Sequence, residues 1–335
     1  MISSRWLLAC LTAVVGAAAP IEAQNPAPVP TPAVPAAAAP SSAETINLQQ
    51  LQTDRMTVPV SIGGRGPYRF IVDTGSERTV IARELARDLG LGAGRTATVH
   101  SMTEVSEIAT VVIPALEVGR RTVNDINAPA LARQYLGAEG LLGVDSLRSQ
   151  RVELDFVRQQ MTVVPSRSPT ARWADDTIVV TARNRFGHLI LVDAQFEGER
   201  VWVIVDTGAQ VTVGNNALRR RLERRGRLGA MHPMELVSVT GGSIMAEYSI
   251  ARRIRIGGAE INSLPVAFAD VQPFRQLRLL DRPAILLGMD ALQLFDRVSF
   301  DFASRQVRMQ LRGVSLLGGD TRVARRETPP SRIAG

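Results

Sequence analysis

Lysine is missing from this chain of 335 residues, so all 39 basic side chains are arginine. Against 32 acidic residues they leave a formal net charge of +7. A basic balance can mark a partner such as nucleic acid or an anionic membrane. Here the arginines are scattered, aromatics are only 4%, and no nucleic-acid module signature occurs. No nucleic-acid partner is expected, and the arginine run at 219–221 and 224–225 reads as a solvated helix face. Cysteine is nearly absent too. The one example, Cys10, lies in an N-terminal apolar stretch, which excludes disulfide and thiol chemistry from the body of the chain. The three histidines, His100, His188 and His232, are far apart and lack metal-ligand spacing, so no metal and no cofactor are expected. There is no Gly-x-Ser-x-Gly elbow for a serine hydrolase. Long apolar runs are limited to residues 6–19, which is short for a bilayer span.

What is present at the N-terminus has an order. Arg5 precedes the apolar run and Ala23 follows it, the layout of an export signal over residues 1–23. An uncleaved anchor is the alternative, so the expected location is periplasmic or secreted, with N-terminal or peripheral membrane association. Residues 24–53 are rich in Pro and Ala and read as a tether.

From residue 54 the pattern is β-like. Met56, Val58, Val60 and Ile62 alternate, a Gly-rich turn follows at 63–66, and the chain returns through Phe70, Ile71 and Val72. Ile81, Leu85 and Leu89 then predict a short helix, ended by Gly90. The second half repeats this order. Residues 201–205 form the apolar approach, and Asn215 or Asn216 caps a helix carrying Leu218 and Leu222, closed by Gly226. The chain divides into units 54–164 and 176–312, a linker at 165–175, and a basic, disordered tail at 313–335.

The repeat is specific. Residues 70–80 and 203–213 share seven of eleven positions, 141–147 and 286–292 share five of seven, and 151–156 and 297–302 share four of six. Three blocks in the same order point to duplication. Each unit carries Val-Asp-Thr-Gly, then Leu-Leu-Gly-x-Asp. The aspartates Asp73 and Asp206 emerge from buried strands. The hydroxyls of Thr74 and Thr207 can lock neighbouring loops together, and Gly75 and Gly208 allow a tight turn with amide donors near the carboxylate. Gly143 and Gly288 let the Leu-Leu-Gly strand pass close by. Asp145 and Asp290 precede short helices and read as N-caps.

These motifs, Asp73-Thr74-Gly75-Ser76 with Leu141-Leu142-Gly143 and Asp206-Thr207-Gly208-Ala209 with Leu286-Leu287-Gly288, resemble the retropepsin-like aspartic proteases. The resemblance spans roughly residues 54–311. It implies a mainly β fold with few short helices, in which two homologous β-barrel lobes are related by a pseudo-two-fold axis. It implies a catalytic pair, Asp73 and Asp206, that activates water on a peptide bond, with a protein or peptide as substrate and a monomeric pseudo-dimer as the working form. Family members cover the substrate with Gly-rich flaps. Thr240, Gly241 and Gly242 fit that role in the second unit. His100, Ser101 and Met102 occupy it in the first but lack glycine. The flap tyrosine of pepsin-like enzymes is missing there, which brings the match closer to the retroviral type. Two alternatives stay open: a peptide-binding module without turnover, and halves that each pair with their twin in another chain.

Overall fold

The structure, a computed structural model, describes residues 56–100, 105–119, 121–168, 173, 177–185, 187–312 and 322–325. They all fall within one compact unit. The export signal, the tether to residue 53 and most of the C-terminal stretch lie outside them.

The fold is mainly β. In the first lobe six strands close into a barrel, in the order Thr57–Ile62, Arg65–Val72, Gly140–Leu142, Val80–Ala82, Arg121–Leu131 and Thr110–Val118. The opening hairpin forms as its alternation predicts. Val58, Val60 and Ile62 turn inward, and Gly63 and Gly64 take left-handed φ values of 56° and 73° at the turn. The helix after it is shorter than the periodicity suggests. It covers Arg83–Asp88, and Ile81 belongs to the preceding strand. Pairing of Ile81 with Ala130 in the barrel outweighs its helical spacing to Leu85.

The second lobe repeats the central arrangement. Trp202–Val205 runs parallel to Ala284–Leu287, which pairs antiparallel with Val213–Gly214. Its strands continue into a twelve-stranded sheet that also takes in Gln150–Asp155 and Gln160–Pro165 of the first lobe. The helix Asn216–Arg224 starts as expected. The Asn215 side chain accepts the Leu218 N–H at 2.9 Å, Leu218 and Leu222 are buried, and Gly226 leaves at φ 60°. Its arginines do more than meet solvent. Arg221 and Arg225, with Arg227 just beyond, converge on the buried carboxylate of Glu199 at 2.7, 2.8 and 3.2 Å.

The third repeated block joins the lobes. Gln150–Asp155 pairs antiparallel with Phe295–Asp301, and Glu153 lies opposite Ser299. Those two residues occupy the same position in their repeats, so the pseudo-two-fold axis passes between them. Val152, Leu154, Val298 and Phe300 bury their side chains there, in an apolar core that runs from Val58 to Leu311. Burial of each such side chain contributes roughly 1.5–3 kcal/mol. Within the stretch expected to be disordered, Arg322–Arg325 pairs with Ala259–Asn262 as an added strand.

Candidate active site

Each aspartate directly follows a strand with a buried end. Phe70, Ile71 and Val72 precede Asp73; Val203, Ile204 and Val205 precede Asp206. The Leu-Leu-Gly strands fix both ends from the side. Val72 pairs with Leu142 and Val205 with Leu287, and the amides of Asp73 and Asp206 donate to the carbonyls of Leu142 and Leu287 at 2.9 and 3.1 Å. The glycines behind them have no room for a side chain. A Cβ on Gly143 would lie 2.4 Å from the Arg78 backbone, and one on Gly288 would lie 2.7 Å from that of Val211.

The two turns then face each other. The Thr74 N–H donates to the Thr207 hydroxyl at 3.1 Å, and the Thr207 N–H donates to the Thr74 hydroxyl at 3.1 Å. Each hydroxyl passes its own proton across the axis, Thr74 to the Val205 carbonyl at 2.8 Å and Thr207 to the Val72 carbonyl at 2.6 Å. All four bonds are buried. This grip brings each glycine against the opposite carboxylate. A Cβ on Gly75 would fall 2.3 Å from Asp206 Oδ2, and one on Gly208 would fall 2.4 Å from Asp73 Oδ2.

Asp73 and Asp206 are 9% and 6% exposed. Burial pushes the Asp206 carboxyl well above the ordinary carboxylate range; the negative charge of Asp73 and a side-chain hydrogen bond with it push the same way. The amides of Gly208 and Ala209, which donate to Asp206 Oδ1 at 2.8 and 3.1 Å, oppose that rise. The first half-site differs. Gly75 N–H donates to Asp73 Oδ1 at 2.9 Å, but Ser76 N–H turns to the Asp73 backbone carbonyl at 3.3 Å. Two adjacent carboxylates that share a proton can act as an acid–base pair.

Asp145 and Asp290 are not the N-caps that the sequence suggests. Gly143 and Gly288 hold those positions. The carboxylates instead anchor the loops that follow the Asp-Thr-Gly turns. Asp145 accepts the Thr79 N–H and hydroxyl, and Asp290 accepts the same groups of Thr212 at 2.9 and 2.7 Å. Each threonine hydroxyl also accepts the glycine N–H of Leu-Leu-Gly, at 3.3 Å for Gly143 and 3.2 Å for Gly288. A helix short enough to begin on the motif glycine moves the aspartate into the first turn. Burial pushes the Asp290 carboxyl up to about 6, against the lowering effect of these donors.

Thr240, Gly241 and Gly242 form the turn between the paired strands His232–Val237 and Ser243–Ala251. The Ser238 N–H donates to the Gly242 carbonyl at 2.8 Å, and Gly241 has φ 91°. A Cβ on Gly241 would meet the ring of Tyr135 at 2.7 Å, so the tip of this hairpin rests on the first lobe. In the first lobe His100 ends the strand Ala97–His100, which pairs with Val105–Ile108. Ser101 and Met102 lie outside the described residues.

Two residues near the site escape sequence reasoning. Tyr135 has no motif around it. His188 carries a weak signal, since it begins the strand His188–Leu191 beside Trp202–Val205. Its Nδ1 lies 3.1 Å from the Thr74 carbonyl oxygen, and its Nε2 lies 4.0 Å from Glu77 Oε1. Among the described residues no group of three or more His, Cys, Asp or Glu side chains is placed to hold a metal.

A family model described as aspartyl protease matches residues 58–146 and 192–291, more than half of the chain and one region in each lobe. No curated protein matches.

Proposed function

The chain belongs to the aspartyl protease family, and from that premise we propose that it is an exported endopeptidase with one site shared by its two lobes. The observation that carries this reading is the reciprocal approach of Gly75 to Asp206 and of Gly208 to Asp73. It needs both carboxylates at one place, on the axis of the repeat.

In this mechanism Asp73 is ionised and Asp206 is protonated, the direction in which burial and the charge of Asp73 push Asp206. Asp73 takes a proton from water as the oxygen attacks the scissile carbonyl carbon. Asp206 gives its proton to the carbonyl oxygen, so that a neutral gem-diol forms. Return of the proton from Asp73 to the leaving nitrogen lets the carbon–nitrogen bond break, and Asp206 recovers a proton from the gem-diol. The apparent pKa values of such a pair belong to both residues together. By resemblance, Thr240, Gly241 and Gly242 are assigned to cover the bound peptide from the second lobe, with His100, Ser101 and Met102 as their counterparts in sequence in the first.

The threonine grip closes within one chain, which favours a monomeric pseudo-dimer over halves that pair with twins in other chains. Location outside the cytoplasm rests on the signal layout of residues 1–23. The test is incubation of the purified chain with unfolded protein from acidic to neutral pH, with and without a statine peptide. Cleavage that the statine peptide blocks is the expected outcome. Binding without cleavage at every pH contradicts it and points to a peptide-binding module.

A further inference from the structure

We infer that His188 is a positioning residue for the Asp73 half of the site, acting through the peptide between Thr74 and Gly75. This rests on the peptidase reading above. His188 belongs to the second lobe and is 3% exposed. Its Nδ1 sits 3.1 Å from the Thr74 carbonyl oxygen, which can only accept, so Nδ1 carries a proton and donates it. The N–H of that same peptide unit is on Gly75, and it donates to Asp73 Oδ1 at 2.9 Å. A donor at the carbonyl oxygen draws electron density away from the nitrogen, so the N–H becomes a stronger donor. Hydrogen bonds in series reinforce one another in this way. The imidazole thus supports negative charge on Asp73 without touching it.

The need for such support lies in the inequality of the two turns. Asp206 receives two amides of its own turn, from Gly208 and Ala209. At the matching position Ser76 sends its amide to the Asp73 backbone carbonyl. His188 strengthens the Gly75 amide on the side where the second amide is turned away.

Among the described residues, charged groups stand near the imidazole on the catalytic loop and on the preceding strand, and Asp145 and Arg148 line the same groove as Glu77. On the catalytic loop stand Asp73 and Glu77, and Glu77 Oε1 lies 4.0 Å from Nε2, beyond hydrogen-bond length. On the neighbouring strand Arg185 is the register partner of His188. Glu77 also lines an open groove of about 870 Å³ with Arg78, Asn127, Asn184 and Gly187, behind the catalytic loop. Glu77 therefore faces the outer side of the ring with a carboxylate while Nδ1 holds the loop.

The test compares His188→Asn, His188→Gln and His188→Leu in the full chain, on a substrate that the wild type cleaves. Asn places an amide N–H where Nδ1 stands, Gln places it near Nε2, and Leu has no donor. The expected result is a kcat for His188→Asn within about three-fold of wild type. His188→Gln and His188→Leu lose about ten-fold or more in kcat, with KM within about two-fold, as loss of one donor at the loop predicts. The acid limb of kcat/KM moves to higher pH in the Gln and Leu variants and stays in place in the Asn variant. A purely structural role would change the amount of folded enzyme but not that limb. Wild-type kcat and an unmoved limb in all three variants would overturn the inference. So would an Asn variant as impaired as the Gln variant, a comparison that decides even where the Leu variant does not fold. A wild type that cleaves nothing overturns the peptidase reading and this role with it. Cleavage that is indifferent to all three variants overturns only the role of His188.

Discussion

Thr74 and Thr207 exchange hydrogen bonds across the axis of the repeat, each amide N–H to the other's hydroxyl at 3.1 Å. Each hydroxyl then donates onward to the strand before the opposite aspartate. The exchange ties the two lobes together at their Asp-Thr-Gly turns. Thr74→Val removes one donor and one acceptor and leaves a buried amide and a buried carbonyl without partners. The expected cost is about 2–4 kcal/mol, measured by urea unfolding. Thr74→Ser keeps the hydroxyl and stays within about 1 kcal/mol. The Thr74→Val/Thr207→Val double variant breaks all four bonds, none of which the two hydroxyls have in common, and is expected to cost about as much as the two singles together.

Gly208→Ala tests the closeness of the turns. Its Cβ would fall 2.4 Å from the Asp73 carboxyl carbon, so the carboxylate must move. A shift of about 1 Å at a reacting group costs on the order of 100-fold in rate. The expected result is that loss in kcat/KM with a circular dichroism spectrum like that of wild type. Near-normal turnover would place Asp73 elsewhere during catalysis.

The hairpin at Gly241 makes a separate prediction. Alanine there must hold φ near 91° and press on Tyr135. Strain of this kind costs roughly 1–3 kcal/mol and falls on this hairpin rather than on the carboxylates. Gly241→Ala is expected to raise KM for a peptide substrate more than it lowers kcat. The combination Gly241→Ala/Tyr135→Ala relieves the contact and recovers part of the loss.

Asp290 gives the fold a pH dependence. Its native carboxyl is pushed up to about 6 from an ordinary 3.8. The native state therefore holds the proton more tightly than the unfolded chain does. Stability from this group is complete below about 4 and is lost as pH rises through about 6. A shift of this size corresponds to an order of 3 kcal/mol. Urea unfolding of wild type and Asp290→Asn at the two ends of that window checks it. The difference between the two proteins should change with pH in that direction, and a constant difference contradicts the assignment.

The sequence makes the repeat legible because duplication preserves spacing. Asp73, Asp206 and the Leu-Leu-Gly strands that flank them sit where the three repeated blocks imply, and the Asn215 cap is written in local chemistry. What stays hidden depends on contacts between distant parts of the chain. Asp145 and Asp290 read as helix caps because their use as anchors for Thr79 and Thr212 requires the loop and the helix to be packed together first. His188 has no counterpart motif, and its relation to Thr74 spans 114 positions. Tyr135 meets Gly241 only after the lobes close on each other.

The shared site is tested most directly by cleavage of an unfolded protein by wild type, Asp73→Asn and Asp206→Asn, with the mass of each species measured in solution. The prediction is a cleaving monomer and loss of activity in each single variant, with both variants folded. Retained cleavage in either variant, or a wild type active only as a dimer, would contradict a single site built from both aspartates of one chain.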